Sequence, residues 1–210
     1  MNILIVSMGA VRECISDIKD NLELIKSSVG DHETISVFSS WHYDSLELNK
    51  QLEGYDHTLF FNQKDEEYYP KTRNGMPCFS WFHLRDLSKE IKKLDLEFDY
   101  VIKTRHDLAY KMNNIDEYLT DGFSVPKIFW CQGSAGINDH VFVTKKENFL
   151  KIGDLTDEEL REMAASSHNG EALMEKMISP IDSVRIINDE HIDICVSRRR
   201  TENLWGWKQG

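Results

Sequence analysis

No apolar run in this chain of 210 residues approaches the ~20 residues that a bilayer span requires, so a transmembrane segment is not expected. The opening MNILIVSMGA has no basic leader and no long hydrophobic stretch, and reads as a first strand rather than a signal peptide. No Asn-x-Ser/Thr sequon occurs. The four cysteines, Cys14, Cys78, Cys131 and Cys195, are far apart and form no Cys-x-x-Cys pair. That spacing disfavours a zinc ribbon or a disulfide scaffold, so reduced thiols and a cytoplasmic setting are the expectation. Positive charge is also scarce: the formal net charge of −11 disfavours nucleic acid as a partner, because nonspecific binding there works by neutralising phosphates. One small anionic ligand is still compatible with that charge. Arg198, Arg199 and Arg200 form a basic cluster that reads either as an anion site or as a solvated C-terminal segment.

Several catalytic signatures are missing too. There is no Gly-x-x-x-x-Gly-Lys-Ser/Thr loop, no Gly-x-Gly-x-x-Gly after the first strand and no His-Glu-x-x-His. Gly-x-Ser-x-Gly is absent, which leaves an α/β-hydrolase without a nucleophile elbow. No internal repeat, low-complexity segment or linker divides the chain, so one domain is expected over residues 1–210.

What is present is an alternation. Residues 3–7, 34–39, 57–61 and 100–104 are apolar or β-branched strand candidates. Between them lie helical patterns: Ile15, Ile18, Leu22, Ile25 and Val29 closed by Gly30, a short polar helix over 45–52, and a strong helix carrying Phe79, Phe82, Leu87, Ile91 and Leu94. Residues 62–76 show no periodicity and are expected to form a mobile loop. The β-α-β order predicts an α/β fold with a mixed, mostly parallel sheet flanked by helices. In such sheets ligands collect outside the carboxyl ends of the strands. The second half is less regular, with strand candidates at 127–131, 140–144, 183–188 and 192–196, and helices near 145–151, 157–165 and 171–177.

The fourth strand ends oddly, in Arg105, His106 and Asp107. A carboxylate just past a buried strand can reach a divalent cation that bridges phosphates, and an adjacent arginine can pair with that carboxylate or with a phosphate. The same three residues also read as a polar turn in which Asp107 caps the segment after it. From spacing alone both readings stand.

YVIKTRHDL, residues 100–108, preceded by an amphipathic helix, resembles the hallmark segment of small GT-A-type glycosyltransferases of bacterial surface-polysaccharide loci and large algal DNA viruses. In that group a Tyr-hydrophobic-x-Lys-x-Arg-x-Asp-Leu stretch stands where other GT-A enzymes carry Asp-x-Asp. ILIVSMGAVR at 3–12, VFSSW at 37–41 and INDHVFV at 137–143 also resemble family segments, so the similarity runs from residue 1 to about 152. The resemblance implies a GT-A-like, Rossmann-like domain, with residues 1–110 as the nucleotide-sugar half and 111–210 as the acceptor side.

It implies further transfer of a hexose-like sugar from a UDP- or GDP-sugar to a glycan or glycoprotein acceptor in polysaccharide biosynthesis, assisted by Mn2+ or Mg2+. Ser7, Gly9, Arg12, Trp41, Arg73 and Arg105 become the nucleotide-sugar candidates, and Asp107 and His191 the metal candidates. With Arg105 in place of the first Asp, Asp107 is the motif's one acid. An inverting transfer needs a carboxylate to deprotonate the acceptor hydroxyl, and Asp139 is the candidate; it reads equally as an Asx-turn residue opening the next strand. Trp41 is either a base-stacking platform or a core aromatic at a strand end. His106 receives no role. The rival from another class is a non-catalytic nucleotide-sugar-binding protein on the same fold. A nucleotidyltransferase is a third option, against which the missing phosphate loop counts.

Overall fold

The structure is a computed structural model that describes residues 1–9, 17–41, 46–106, 108–109, 112, 114–126, 140–187 and 195–196. Its centre is a seven-stranded sheet built from β1 (Asn2–Met8), β2 (Glu33–Trp41), β3 (His57–Phe61), β4 (Tyr100–Arg105), β6 (Phe123–Pro126), β7 (Phe142–Lys145) and β8 (Val184–Ile187), in the order β3-β2-β1-β4-β7-β6-β8. Leu108–Ala109 (β5) and Cys195–Val196 (β9) form a separate antiparallel pair. Strands β1 to β4 are mutually parallel, and β7 runs antiparallel to both β4 and β6. The α/β, mostly parallel sheet expected from the alternation is therefore the one observed.

Burial tracks sheet position. β1 is central, and Ile3 to Met8 are all buried, as a strand covered on both faces must be. β3 lies at the edge and alternates half-buried with exposed residues. Successive side chains of a strand point to opposite faces. Leu4, Val6 and Val101 accordingly join the core beneath α3 (Phe79–Lys93), α4 (Lys146–Ile152), α5 (Asp157–Ser166) and α6 (Gly170–Ile178). Ile3, Ile5 and Ile102 join the opposite core with Leu22 and Ile25 of α1 (Ile18–Ser28), and α2 (Leu46–Gln51) extends that layer through Leu48. Helix starts are chemically marked in the second half. Thr156 and Glu159 form a capping box at α5, and the Asn169 side chain accepts from the Ala172 amide at α6.

Two expectations change. The strand foreseen at 127–131 lies outside the described residues, and the strand found nearby is Phe123–Pro126. The segment 62–76 is fastened rather than loose. Tyr68 and Arg85 both bond Asp157 of α5, and Arg161 donates to the Tyr68 carbonyl at 2.6 Å. Lys64 sits 3.7 Å from the centroid of the Tyr68 ring, a cation–π contact. Further along, the Arg73 and Asn74 amides donate to the carbonyls of Ser167 and His168 at 2.9 and 3.1 Å. Burial opposes ionisation of Asp157, but the bonds from Tyr68 and Arg85 outweigh it and hold its carboxyl below the usual value. No helix among the described residues is long and apolar enough to cross a membrane.

Candidate functional site

The carboxyl ends of the parallel strands meet at one edge of the sheet, and the register aligns them. Met8 pairs with Ser39 on one side and Arg105 on the other, which brings Gly9, Ser40 and His106 to the same level. Gly9 is clamped there: its amide donates to the Ser39 carbonyl at 3.2 Å, and the Ser40 hydroxyl donates to the Gly9 carbonyl at 2.7 Å.

The backbone at Gly9 has φ of +147°, a region that L side chains rarely adopt, and a Cβ there would lie 3.3 Å from Cε1 of His106. His106 is the support beneath it. Its ring is 1% exposed and lies 5.1 Å, centroid to centroid, from Phe38, and its carbonyl accepts from Asn21 of α1 at 2.9 Å. Gly9→Ala should therefore destabilise the fold by about 1–3 kcal/mol. That corresponds to a melting point roughly 3–10 °C lower. A differential scan that leaves the melting point unchanged would contradict the clamp.

On the α3 side of the rim lies a buried polar layer. His83, 3% exposed, meets the Ser39 hydroxyl through Nε2 at 2.7 Å, while its Nδ1 has no hydrogen-bond partner among the described residues. Trp41 lies 4.8 Å and Phe61 5.0 Å from its ring centroid. Burial, reinforced by His106 and the charge of Lys103, pushes the His83 pKa down to about 3, so the ring is neutral. The unfolded chain takes up a proton near pH 6.5 that the folded chain refuses until about pH 3. Stability therefore falls as pH drops through that window, by about 1.4 kcal/mol per pH unit from this residue. His83→Gln should flatten that slope in urea melts between pH 6.5 and 4.5. An unchanged slope would mean that the ring ionises freely.

Lys103 and Arg105 share the α3 face of β4 with Val101. Lys103 is 5% exposed, and its ammonium donates to the His140 carbonyl at 3.1 Å. Arg105 Nη1 meets Nδ1 of the same His140 at 3.2 Å. Arginine only donates, so that imidazole accepts through Nδ1 and carries its proton on Nε2.

The structure separates the sequence candidates. Gly9, Trp41 and Arg105 stand at the one rim. Trp41 is half-buried and packs on α3, edge-on to Phe79 at 6.3 Å. The Ser7 side chain is buried just below the rim. Arg73 is exposed, and its Nε donates to the Ala165 carbonyl near the end of α5 at 3.4 Å. Arg12, Asp107, Asp139 and His191 lie outside the described residues.

Sequence reading passed over His83 and gave no role to Lys103, His106 or His140, although all three stand in the quoted motifs. Strand alternation held part of the signal: Lys103 and Arg105 are two apart and share a face, whereas His106 belongs to the other one. Cys78 is a buried free thiol whose pKa burial raises to about 11, consistent with an inert core residue rather than a nucleophile. Among the described residues no group of three or more His, Cys, Asp or Glu side chains could hold a metal ion.

No protein-family model matches the sequence, and comparison with curated proteins finds no match. Solved structures do match in shape. The galactosyltransferase LgtC, in complex with donor and acceptor sugar analogs, superposes with a TM-score of 0.57 at 12% identity, over 90% of this chain and 73% of that one. An active-site mutant of LgtC gives a TM-score of 0.57 at 11% identity, with the same coverage. At such identity the likeness establishes architecture alone: the chain has a GT-A-like, Rossmann-like α/β fold of the kind seen in that transferase.

Proposed function

We propose that this protein is a glycosyltransferase that takes a sugar from a UDP- or GDP-sugar and passes it to a glycan or glycoprotein acceptor. The observation that carries the reading is the rim itself. The end of β4, where the Arg-His-Asp stretch begins, packs closely on Gly9 after β1 through the His106 ring, in a fold shared with a galactosyltransferase in complex with donor and acceptor sugar analogs. Pyrophosphate-bearing ligands suit the rim at the carboxyl ends of such a sheet.

In this reading Gly9 lets the donor approach the backbone closely, and Arg12 and Arg105 face the diphosphate. Trp41 offers the edge not packed on α3 to the nucleobase, and Ser7 supports the turn from below. Arg73, on the segment fastened to α5, completes the nucleotide-sugar set. Asp107, with His191 as second ligand, would hold Mn2+ or Mg2+; carboxylate and imidazole donors suit such an ion. When bound, the ion would neutralise charge on the departing nucleoside diphosphate. Asp139 would take the proton of the acceptor hydroxyl. Hexosyl transfer within polysaccharide biosynthesis, in the cytoplasm, completes the proposal.

A thermal-shift screen of UDP- and GDP-sugars, each with and without Mn2+, tests it. A melting point raised by one sugar class, and raised further by the ion, is the expected outcome. No shift with any donor in either condition would contradict the reading.

A further inference from the structure

We propose that Lys103 is a positioning residue whose buried ammonium, acting with Arg105, fixes His140 at the point where β7 enters the sheet. The backbone ladder between β4 and β7 runs from the Tyr100–Lys145 pair to the Lys103–Phe142 pair. Carried on by two residues, that register sets Arg105 opposite His140. Where the ladder ends, side chains continue the grip: the Lys103 ammonium on the His140 carbonyl at 3.1 Å, and the Arg105 guanidinium on its ring at 3.2 Å.

Packing does not ask for a lysine here. Lys103 is 5% exposed in a strand whose neighbours Val101 and Ile102 are fully buried, and an unbranched apolar side chain would fill the same space without desolvating a charge. What lysine adds is a donor on a long stem. It reaches a carbonyl whose accepting power does not depend on the protonation of the histidine that bears it.

The two contacts together hold both the main chain and the ring of residue 140. The residue before it in sequence is Asp139, the base of the proposed transfer, so on that reading an anchor at residue 140 bears on the chemical step. Only that last step rests on the proposed glycosyl transfer.

The test compares Lys103→Met, similar in length but without donor or charge, with Lys103→Arg, which keeps both. Amide hydrogen exchange in the intact protein reads the anchor directly. At residues 140–142, Lys103→Met should exchange roughly tenfold faster than wild type while β1 and β2 stay unchanged, and Lys103→Arg should fall between. Wild-type protection at 140–142 in Lys103→Met overturns the proposal. Equal loss of protection in β1 and β2 also overturns it, because the lysine would then only stabilise the fold.

With a donor that is turned over, Lys103→Met should lose kcat by roughly ten- to hundredfold. Donor KM should stay within about threefold, and Lys103→Arg should recover part of the rate. A rise in KM with kcat intact overturns the positioning role. If wild type turns over no donor, the glycosyltransferase reading fails, and the exchange measurement still decides Lys103.

Discussion

Asp139→Asn is expected to bind donor as wild type does and to transfer sugar 10²- to 10⁴-fold more slowly, about the range that one general base contributes. Asparagine keeps the size of the side chain and can still receive a hydrogen bond, but it cannot take the proton of an acceptor hydroxyl. Calorimetric titration of the donor and a transfer assay at saturating donor separate the two quantities. Loss of turnover with donor affinity kept marks an interaction made at the chemical step. The competing role, an Asx turn at the entrance to β7, predicts a different pattern. Asparagine serves such turns as well as aspartate does, so transfer in the variant would then match wild type. That outcome removes Asp139 as the base.

The second large effect is expected at Asp107. It comes directly after His106, and His106 is locked under Gly9, so the chain leaves β4 with its position fixed up to that residue. Position 105 is an arginine, held by His140, so Asp107 is the motif's one carboxylate. Asp107→Ala should weaken donor binding in the presence of Mn2+ by at least about tenfold, or ~1.4 kcal/mol. It should also erase the difference between titrations with and without the ion. Donor affinity that still rises with Mn2+ in this variant would show that the ion is held elsewhere. The Gly9→Ala melt, run without donor or ion, tests the turn separately.

The sequence made much of the fold readable because its first half is locally explicit. Runs such as ILIV at 3–6 and VIKT at 101–104 can hardly be anything but buried strands, and the helical spacing between them fixes the alternation. The second half is less explicit. FSVP at 123–126 is short and ends in proline, so the larger apolar residues at 128–130 draw the strand assignment toward themselves. The order of seven strands, with β7 reversed between β4 and β6, depends on pairings between distant segments that no local pattern encodes.

The segment 62–76 shows the same limit in another way. It is polar and aperiodic, and what fastens it are contacts of Tyr68 with Asp157 and of the Arg73 and Asn74 amides with Ser167 and His168, about ninety residues on. The motif resemblance gave roles to Arg105 and Asp107 but none to His106 or Lys103, although both stand in the same stretch. His106 and Lys103 acquire roles only when Gly9 and His140, 97 and 37 residues away in the chain, are placed beside them. Chemistry-bearing residue types were legible; their partners were not.

Glycosyl transfer is tested by release of nucleoside diphosphate from UDP- and GDP-sugars incubated with the intact protein and Mn2+, monitored by mass spectrometry. Slow release of UDP or GDP from one donor class is expected without acceptor, with faster release when a glycan acceptor is added and a mass gain of one sugar on that acceptor. A donor that binds yet is neither hydrolysed nor transferred, with every acceptor tried, would contradict it and identify the protein as a nucleotide-sugar-binding module instead.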